Sequence, residues 1–351
     1  MPLRTEAGSS LAPLVRAVTA ELPVPDRAAM LRAAAGEATL AAHDAAARGV
    51  PALDAIEVRS PASPAASRAR LRIATWNLER CKHVEASASL LQRSGADLAL
   101  LSEMDLGMAR SGQRHTTRDL AAALGSGYAF GVEFVELGHG VGQELEHASE
   151  PNRVGLHGNA IVAAASLRDP VLIRLERSGA WFQRDWHHRR IGGRMGVAAT
   201  VESGGGLLSV VSTHLENIAS AEERRRQIEP ILAWLATMPD NPAVVAGDFN
   251  TADLPDAGSA ETDWFTEPDR YEPLFGAMRA AGFQWHSANQ AEHGRRLVND
   301  GRPSPKLRRV DWFFTRGVEA TNPQSWPAVD DAGRPISDHD LMTVDIVVGT
   351  P

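Results

Sequence analysis

The sequence predicts an α/β fold, in which strands and helices alternate along most of the chain. Apolar runs of strand length recur between segments with helical periodicity, and several of these runs end in a carboxylate, an amide or an imidazole. The chain has 351 residues, of which 43% are hydrophobic and 23% are charged. These values are typical of a globular protein with enough length to bury a sizeable core.

The first fifth of the chain is predicted to be an appendage. Residues 24–48 are rich in Ala, begin near a possible N-cap, Asp26, and are followed by a glycine. This pattern favours a single helix, packed on the main domain or on a second subunit. Residues 60–67 contain only Ser, Pro and Ala, as expected of a linker. We therefore expect a helical extension and linker over 1–69, followed by the main domain over 70–351.

The main domain begins with two predicted strands that end in polar groups. Residues 71–79 alternate between apolar and polar and present Asn77 and Glu79, which are two positions apart and therefore face the same side of a strand. After a predicted helix, a buried-type strand over 97–103 ends in Glu103. Polar groups that follow neighbouring strands in this way are suited to form one site.

The stretch 243–250 repeats this arrangement. An apolar run ends in a glycine and is followed by Asp248 and Asn250, which can face one pocket while Phe249 turns into the packing. A carboxylate beside a neutral amide suits chemistry on a phosphate, because the acid can bind metal or take a proton and the amide can donate to an oxygen. Taken alone, the stretch is more typical of a strand followed by a turn.

Further predicted strands carry polar groups of the same kind. They are the strands over 158–163, with Asn159, over 207–214, ending in His214, and over 310–314, with Asp311, and the segment with Asp338 and His339 before a last strand over 341–348. Helices are predicted over 116–124 and 222–236. Each polar residue by itself is more often a cap, a turn or a satisfied group than a catalyst. Their shared position at strand ends favours a common site.

Charge and cysteine content limit the function classes. The formal net charge of −8 argues against wholesale attraction to nucleic acid or to an anionic membrane. The single cysteine, Cys81, excludes an internal disulfide and fits a reducing compartment. No apolar stretch has the length of a membrane span or the form of a signal peptide, so we expect a cytoplasmic protein.

A series of short motifs places these candidates in a fixed order. The motifs W-N-L-E, L-x-L-L-S-E, G-N-A-I, S-T-H-L-E-N, G-D-F-N, V-D-W and S-D-H occur between residue 71 and about residue 348. In this order they resemble the endonuclease/exonuclease/phosphatase family, which shares its fold with deoxyribonuclease I. The resemblance implies a four-layer α/β sandwich of two mixed β-sheets flanked by helices, which composition does not distinguish from other α/β folds.

The resemblance also implies a site for Mg²⁺ or Mn²⁺. Glu103 matches the direct carboxylate ligand and Asn77 a second metal-site position, with Glu79 near the same ion and Asp338 as a second metal-side acid. Mg²⁺ prefers oxygen ligands, and one or two carboxylates plus a substrate phosphate would suffice for it. A zinc cluster would need more His or Cys ligands at close spacing, and only the histidines at 187–188 hint at one.

Five positions match catalytic residues of that family. Asp248 corresponds to the acid that orients or deprotonates the attacking water, and Asn250 to the amide that supports the phosphoryl oxygens. His339 resembles the histidine that contacts the scissile phosphate, with Asp311 as its carboxylate partner. Such a carboxylate would raise the imidazole pKa and fix its tautomer. His214 falls where relatives carry His or Tyr and is the candidate general acid.

The residues expected to bind substrate lie around these motifs. They are Asn217, Asn159, His157 and a phosphate clamp of Arg110, Arg114 and His115. The clamp has an alternative interpretation as a solvated basic loop. Additional candidates for the cleft are Arg190, Arg194, Trp181, Trp186 and Trp264. The tryptophans could stack on a base or a lipid, although aromatic side chains more often pack.

The sequence therefore predicts a divalent-metal-dependent phosphoesterase that cleaves a P–O bond, with a diester favoured over a monoester. The alternatives are a DNA endonuclease or exonuclease of repair type, a sphingomyelinase-like enzyme, and an inositol or nucleotide phosphatase. A different class, a non-catalytic binding module, would have lost central motif residues, and all of them are present. The phosphate-ester substrate is left open as a small molecule, a lipid or a nucleic acid, and so is the oligomeric state.

Overall fold

The computed structural model describes residues 11–140, 142–184, 188–256, 259, 263–292, 295–297 and 303–349. The side chains at 295–297 and 303–308 are not part of this description. Trp186 and His187, which the sequence offered as a stacking residue and a zinc ligand, lie outside the described residues. Among the helices of the described ranges, none has the length and apolar character that crossing a membrane requires.

Strands outnumber helices in the described chain. The strands are β1 (Leu14–Val15), β2 (Val18–Thr19), β3 (Ile56–Arg59), β4 (Arg70–Arg80), β5 (Leu98–Leu106), β6 (Gly127–Glu136), β7 (Leu156–Ala163), β8 (Leu167–Arg174), β9 (Arg190–Gly192), β10 (Met195–Ser203), β11 (Gly206–His214), β12 (Ala243–Asp248), β13 (Arg295–Leu297), β14 (Pro303–Arg308), β15 (Asp311–Arg316), β16 (Glu319–Trp326) and β17 (Leu341–Val347). The α-helices are α1 (Arg27–Ala34), α2 (Leu40–Ala47), α3 (Val84–Ser94), α4 (Thr116–Ala123), α5 (Ala221–Leu235) and α6 (Leu274–Ala280).

The strands form two mixed sheets and a small hairpin. The first sheet has six strands in the order β1-β8-β10-β11-β12-β15, in which β11 and β12 are parallel. The second sheet has nine strands in the order β16-β17-β4-β5-β7-β6-β3-β2, with β9 paired to β6, and in it β4 and β5 are parallel. The hairpin consists of β13 and β14.

Three hydrophobic cores separate four layers. The sheets face each other over a central core to which Ile73 and Leu100 contribute from the second sheet and Val244 from the first. The next residue along a strand points to the other face. Leu101 therefore lies in the core beneath α1–α4, and Val245 lies in the core beneath α5 and α6. Burial on both faces explains the near-continuous apolar runs and confirms the predicted sandwich of two mixed sheets flanked by helices.

The region predicted as one helix over 24–48 contains two. Helix α1 begins after Asp26, whose side chain accepts the Ala29 N–H at 3.0 Å, as the N-cap signal predicts. Helix α2 begins after Thr39, whose hydroxyl accepts the Ala42 N–H at 3.2 Å. The prediction of a single helix is wrong because this second capping residue starts a new helix inside the Ala-rich run.

The residues before position 60 also supply strands to both sheets. Strand β1 pairs with β8 at the edge of the first sheet, and β3 pairs with β6 in the second. The Arg27 guanidinium donates to the carbonyls of Glu136 and Val154 at 3.0 and 3.2 Å. The predicted boundary near residue 70 thus divides chain segments that share both sheets.

Candidate active site

Strand pairing brings the predicted site residues to one edge of the two sheets. In the first sheet, the register of β11, β12 and β15 aligns His214 with Asp248 and Asp248 with Asp311. In the second sheet, the register of β4 and β5 aligns Asn77 with the residue before Glu103. Parallel neighbours end at the same edge of a sheet, so the side chains at their carboxyl ends share one pocket.

The backbone is irregular where these side chains leave the strands. The register of β4 against β5 shifts between Asn77 and Arg80, and that of β5 against β7 shifts around Glu103. Glu103 and Asn250 have positive φ angles of 58° and 47°. Bulges and left-handed residues of this kind cost free energy and gather at functional sites, where they direct side chains.

A cavity of about 270 Å³ opens at this edge. Ten of the predicted site residues line it: Asn77, Glu79, Glu103, His157, His214, Asn217, Asp248, Asn250, Asp338 and His339. The rest of the described lining consists of Arg80, Glu144, Trp181, Arg184, His188, Arg190, Arg194 and Ile218. The lining thus combines the strand-end acids and histidines with a basic and aromatic segment that joins β8 to β10.

Asp248 lies at the centre of the polar contacts. Its Oδ2 is 3.1 Å from Asn77 Nδ2, 3.7 Å from His214 Nε2 and 3.8 Å from His339 Nε2. Its Oδ1 accepts the backbone N–H of Asn250 at 2.8 Å. One carboxylate oxygen is therefore fixed by the backbone, and the other faces the groups that can act on a phosphate.

The donors around Asn77 fit a hard divalent cation. The Asn77 amide donates to Glu103 Oε1 and to Asp248 Oδ2, both at 3.1 Å, so two carboxylates share one amide. Carboxylates this close repel each other, and a cation that takes oxygen ligands removes that cost. Arg80 forms ion pairs with Glu103 and, at 3.0 Å, with Glu144. Arg80 therefore keeps Glu144 as a carboxylate partner if a cation binds to Glu103.

A second group of possible ligands consists of Asp248, Asp311 and His339, whose ligand atoms lie within 4.8 Å of one another. Within it, His339 Nδ1 lies 2.7 Å from Asp311 Oδ2, which is typical of a charge-assisted hydrogen bond. Burial alone would lower the pKa of His339, but the carboxylates of Asp311, Asp338 and Asp248 outweigh it and raise the pKa to about 10. A protonated imidazole does not bind metal, so the Asn77 side suits a cation better.

His214 is held in the uncharged state. Arg194 Nη1 lies 3.0 Å from His214 Nδ1, and a guanidinium only donates, so Nδ1 accepts and Nε2 carries the ring proton. Burial and the charge of Arg194 hold the pKa of His214 well below its usual value. Arg194 is fixed in turn by Glu133 and Glu216 at 2.9 and 3.1 Å. This state favours a neutral donor at Nε2 over the general acid that the sequence suggests.

His157 belongs to a second Asp–His pair in the cavity wall. Its Nδ1 lies 2.8 Å from Asp105 Oδ1, and Asp105 is clamped by Arg110 through two contacts of 2.9 Å. Burial lowers the pKa of His157 to about 4, so this imidazole is neutral and leaves Nε2 as an acceptor. Sequence reasoning missed Asp105, whose one signal is its place in the same strand as Glu103.

The predicted phosphate clamp does not form at the cavity. Arg110 is buried against Asp105. Arg114 forms ion pairs with Glu85 and Asp119, both at 2.7 Å, and His115 Nε2 lies 2.9 Å from Glu57. Each member of the expected clamp is thus paired with a nearby carboxylate, which removes the reason for it to bind a phosphate.

Three other predicted residues, Asp311, Asn159 and Trp264, do not line the cavity. Asp311 is buried behind His339, and the buried Asn159 amide donates to the carbonyl of Met195 at 3.0 Å. Trp264 packs edge-on against Trp312, with ring centroids 6.4 Å apart. In contrast, Trp181, Arg190 and Arg194 line the cavity.

Two lining arginines were missed because the sequence gives them little signal. Arg80 follows the W-N-L-E motif directly, and that adjacency could have identified it. Arg184 lies in the segment between Trp181 and Arg190, and only the high Arg content of this segment points to it.

Comparisons with known proteins agree with this fold. The model of the Endonuclease/Exonuclease/phosphatase family matches residues 74–339. Similar solved structures include an endonuclease/exonuclease/phosphatase from Beutenbergia cavernae DSM 12333, at 21% identity over 80% of this chain and 72% of that chain with a TM-score of 0.58. Another, from Bacteroides vulgatus, has 17% identity over 79% of this chain and 98% of that chain with a TM-score of 0.53.

A third similar structure is a mannosyl-6-phosphatase from Bacteroides thetaiotaomicron VPI-5482. It has 14% identity over 79% of this chain and 99% of that chain, with a TM-score of 0.51. At these identities the solved structures show the fold alone. No curated protein matches the chain.

Proposed function

The chain belongs to the endonuclease/exonuclease/phosphatase family, and from that premise we propose that it is a divalent-metal-dependent phosphoesterase that hydrolyses a P–O bond by in-line attack of water. Enzymes of this family are generally hydrolases of phosphoester bonds. The observation that carries the proposal is the convergence of the Asn77 amide, the neutral His214 and the charged His339 on Oδ2 of Asp248.

Asp248 is the proposed base that orients and deprotonates the attacking water. Its Oδ1 is held by the Asn250 N–H, so Oδ2 is the oxygen that can take a proton. The Asn250 side chain is fixed as well, because its Nδ2 donates to the Leu215 carbonyl at 2.9 Å. The Asn250 amide is therefore already oriented and can support the phosphoryl oxygens without a change of rotamer.

Glu103 and Asn77, with Glu79 and Asp338 as further oxygen donors, would hold Mg²⁺ or Mn²⁺, which supplies positive charge to the phosphate. The two histidines divide the remaining work. His339 is protonated and can stabilise the phosphoryl oxygens or give a proton to the leaving oxygen, whereas His214 offers a neutral N–H from Nε2.

The substrate is proposed to be a phosphodiester that is small or lipid-like. The net charge of −8 gives the chain no general attraction for nucleic acid, which places a repair-type nuclease second among diesterases. A phosphomonoesterase is the other candidate function. It is favoured by Arg184, a lining arginine whose charge could help to balance a dianionic monoester.

Turnover of chromogenic esters tests the proposal. With Mg²⁺ or Mn²⁺ the enzyme is expected to release p-nitrophenol faster from bis-p-nitrophenyl phosphate than from p-nitrophenyl phosphate. Asp248→Asn keeps the shape but removes the proton acceptor, so we expect kcat to fall by about a thousandfold. Asp331→Asn is the matched control, because Asp331 is 85% exposed and pairs with Arg93 on the surface. Equal turnover by the wild type and Asp248→Asn, or full activity in excess chelator, would contradict the mechanism.

A further inference from the structure

One part of the cavity wall is basic and aromatic and has no role in the proposed chemistry. It comes from the segment between β8 and β10, which contributes Trp181, Arg184, His188 and Arg190. The Arg184 guanidinium carbon lies 4.4 Å from the centroid of the Trp181 ring, and that of Arg190 lies 4.5 Å from the same centroid. Guanidinium groups are attracted to the face of an indole ring, so Trp181 gathers two positive charges on this part of the wall.

The polar groups of this surface differ in whether a described carboxylate pairs with them. Arg190 lies 3.0 Å from Glu136, and the Trp181 N–H donates to Glu216. Within the ranges that the structure describes, no carboxylate lies at ion-pair distance from Arg184 or His188, and both side chains are half-buried at the cavity. Arg184 thus contributes its guanidinium group to the lining of the cavity.

The described residues on both sides of 185–187 contact the N-terminal helices. His43 Nε2 accepts the Gly192 N–H at 3.1 Å, and the His43 ring packs edge-on against Phe182 with centroids 5.7 Å apart. The Arg189 guanidinium donates to the carbonyl of Ala34 at the end of α1. A surface braced from the neighbouring layer can hold a ligand in a defined position.

We propose that Trp181, Arg184 and His188 form a subsite for a second anionic group of the substrate. The inference rests on the proposed function, because the same molecule would place its phosphoester at Asp248. Guanidinium groups bind phosphate or carboxylate through charge-assisted hydrogen bonds, and a histidine N–H can supply a further donor. The strand-end part of the cavity is rich in carboxylates and would repel a second anion. The preferred substrates are thus small phosphoesters that carry an additional phosphate or carboxylate.

Two matched substrates test the subsite. They are the p-nitrophenyl ester of thymidine monophosphate and the same ester with a second phosphate on the remaining deoxyribose hydroxyl. Both have the same scissile bond and the same nucleoside, so their kcat/KM ratio reports the second anion alone. We expect the wild type to prefer the doubly phosphorylated ester by about tenfold, which is the scale of one charge-assisted hydrogen bond. Equal kcat/KM values would overturn the proposal.

Substitution of Arg184 locates the effect. In Arg184→Gln, the preference for the second phosphate is expected to fall to about twofold or less. Arg226→Gln removes the same charge from the exposed face of α5, where Arg226 is 56% exposed, and should keep the wild-type preference. Circular dichroism verifies that both variants are folded. A preference that survives Arg184→Gln, or that is lost equally in Arg226→Gln, would show that Arg184 does not bind the group.

Binding without turnover separates this inference from the proposed function. Calorimetric titration measures the affinities of the wild type and of Arg184→Gln for thymidine bisphosphate and for thymidine monophosphate. We expect the wild type to bind the bisphosphate about tenfold more tightly than the monophosphate, and Arg184→Gln to lack this preference. Competition by phosphoglycerate against glycerol phosphate shows whether a carboxylate serves equally well. If no ester is hydrolysed, the proposed function fails, whereas equal affinities for the two nucleotides overturn the subsite.

Discussion

At the scale of single residues, the site assigns different charge states to two similar histidines. His339 and His214 both face Oδ2 of Asp248, at 3.8 and 3.7 Å. Their other ring nitrogens meet opposite partners, since His339 Nδ1 contacts the Asp311 carboxylate and His214 Nδ1 contacts the Arg194 guanidinium. The carboxylate acceptor stabilises the protonated imidazole of His339, whereas the cationic guanidinium donor disfavours protonation of His214. The residues behind the cavity thus decide which histidine carries charge toward the phosphate.

Outside the cavity, a buried carboxylate makes stability depend on pH. Glu57 accepts the Leu22 N–H at 2.9 Å and the Tyr128 hydroxyl at 2.5 Å, and it lies 2.9 Å from His115 Nε2. Burial alone would raise its pKa, but the contacts with His115, Tyr128 and Leu22 together lower the pKa from 4.5 to about 2. The folded state therefore binds fewer protons than the unfolded state between these two values.

The stabilisation from Glu57 is expected to be complete above pH 4.5 and to decline as the pH falls toward 2. Glu57→Gln should reduce the free energy of unfolding at neutral pH by roughly 2 kcal/mol, after allowance for solvent screening, and should flatten its dependence on acid. Urea denaturation at a series of pH values measures both effects. Glu202→Gln, at a half-exposed pair with Arg168, is the control. An unchanged acid dependence in Glu57→Gln would refute this account.

Sequence reasoning identified most of the polar residues at the strand ends, because each stands next to an apolar run that predicts a strand. Apart from Asp311, which the family resemblance pairs with His339, it did not find the partners behind them. Asp105 and His157 are 52 positions apart, and Arg194 and His214 are 20 apart. Such pairs depend on the order of strands in the sheets, which no spacing along the chain specifies. The order of the elements also determines the contacts of the residues predicted to form a phosphate clamp. Their arginines and histidine meet carboxylates from other elements, and spacing along the chain does not reveal those contacts.

At the scale of elements, the site depends on the close pairing of β11 with β12. Gly247 has a φ of +148°, and a Cβ at this position would lie 1.8 Å from the Thr213 carbonyl oxygen. The neighbouring register pair is His214 with Asp248, so any separation of the two strands would displace both side chains.

Gly247→Ala is expected to lower the free energy of unfolding by at least about 2 kcal/mol and to reduce kcat, because the two strands must move apart. Gly276→Ala in α6 is the matched control. Its Cβ would meet Asp269 at 3.9 Å, and alanine favours a helix by up to about 1 kcal/mol over glycine. Urea denaturation and p-nitrophenol release measure the two effects. A Gly247→Ala protein as stable and as active as the wild type would show that the pairing is less tight than this geometry implies.

The same scale shows which elements a sequence can predict. Strands β5, β11 and β12 contain apolar runs because both of their faces are buried, and β4 has the alternation of apolar and polar residues that also predicts a strand. In contrast, β1 and β2 have two residues each and β9 has three, which is too short for any periodicity. These short strands form only because longer neighbours offer free edges. Of the three, β9 carries Arg190 in the wall of the cavity.

At the scale of the whole molecule, residues 11–69 add helices and strands to the cores and sheets that the rest of the chain forms. Met30, Ala34, Val50 and Leu53 are buried in the core beneath the outer helices. Strands β1 and β3 cover the edges of β8 and β6. The boundary at residue 70 was predicted from a linker composition, and composition cannot show whether a preceding segment folds back onto both sheets. The boundary therefore stays a prediction, and the contacts favour a single cooperative unit.

Removal of residues 1–69 decides between these alternatives. The truncated chain, residues 70–351, would expose apolar core residues and two sheet edges, so we expect its thermal midpoint to fall by at least about 10 °C and its unfolding to become less cooperative. Addition of a peptide of residues 1–69 should restore much of the loss, because the truncated edges and core remain available to it. Calorimetry and circular dichroism of the full chain, the truncated chain and the mixture measure this. A truncated chain with the same midpoint and the same unfolding enthalpy per residue as the full chain would instead establish residues 1–69 as a separate appendage.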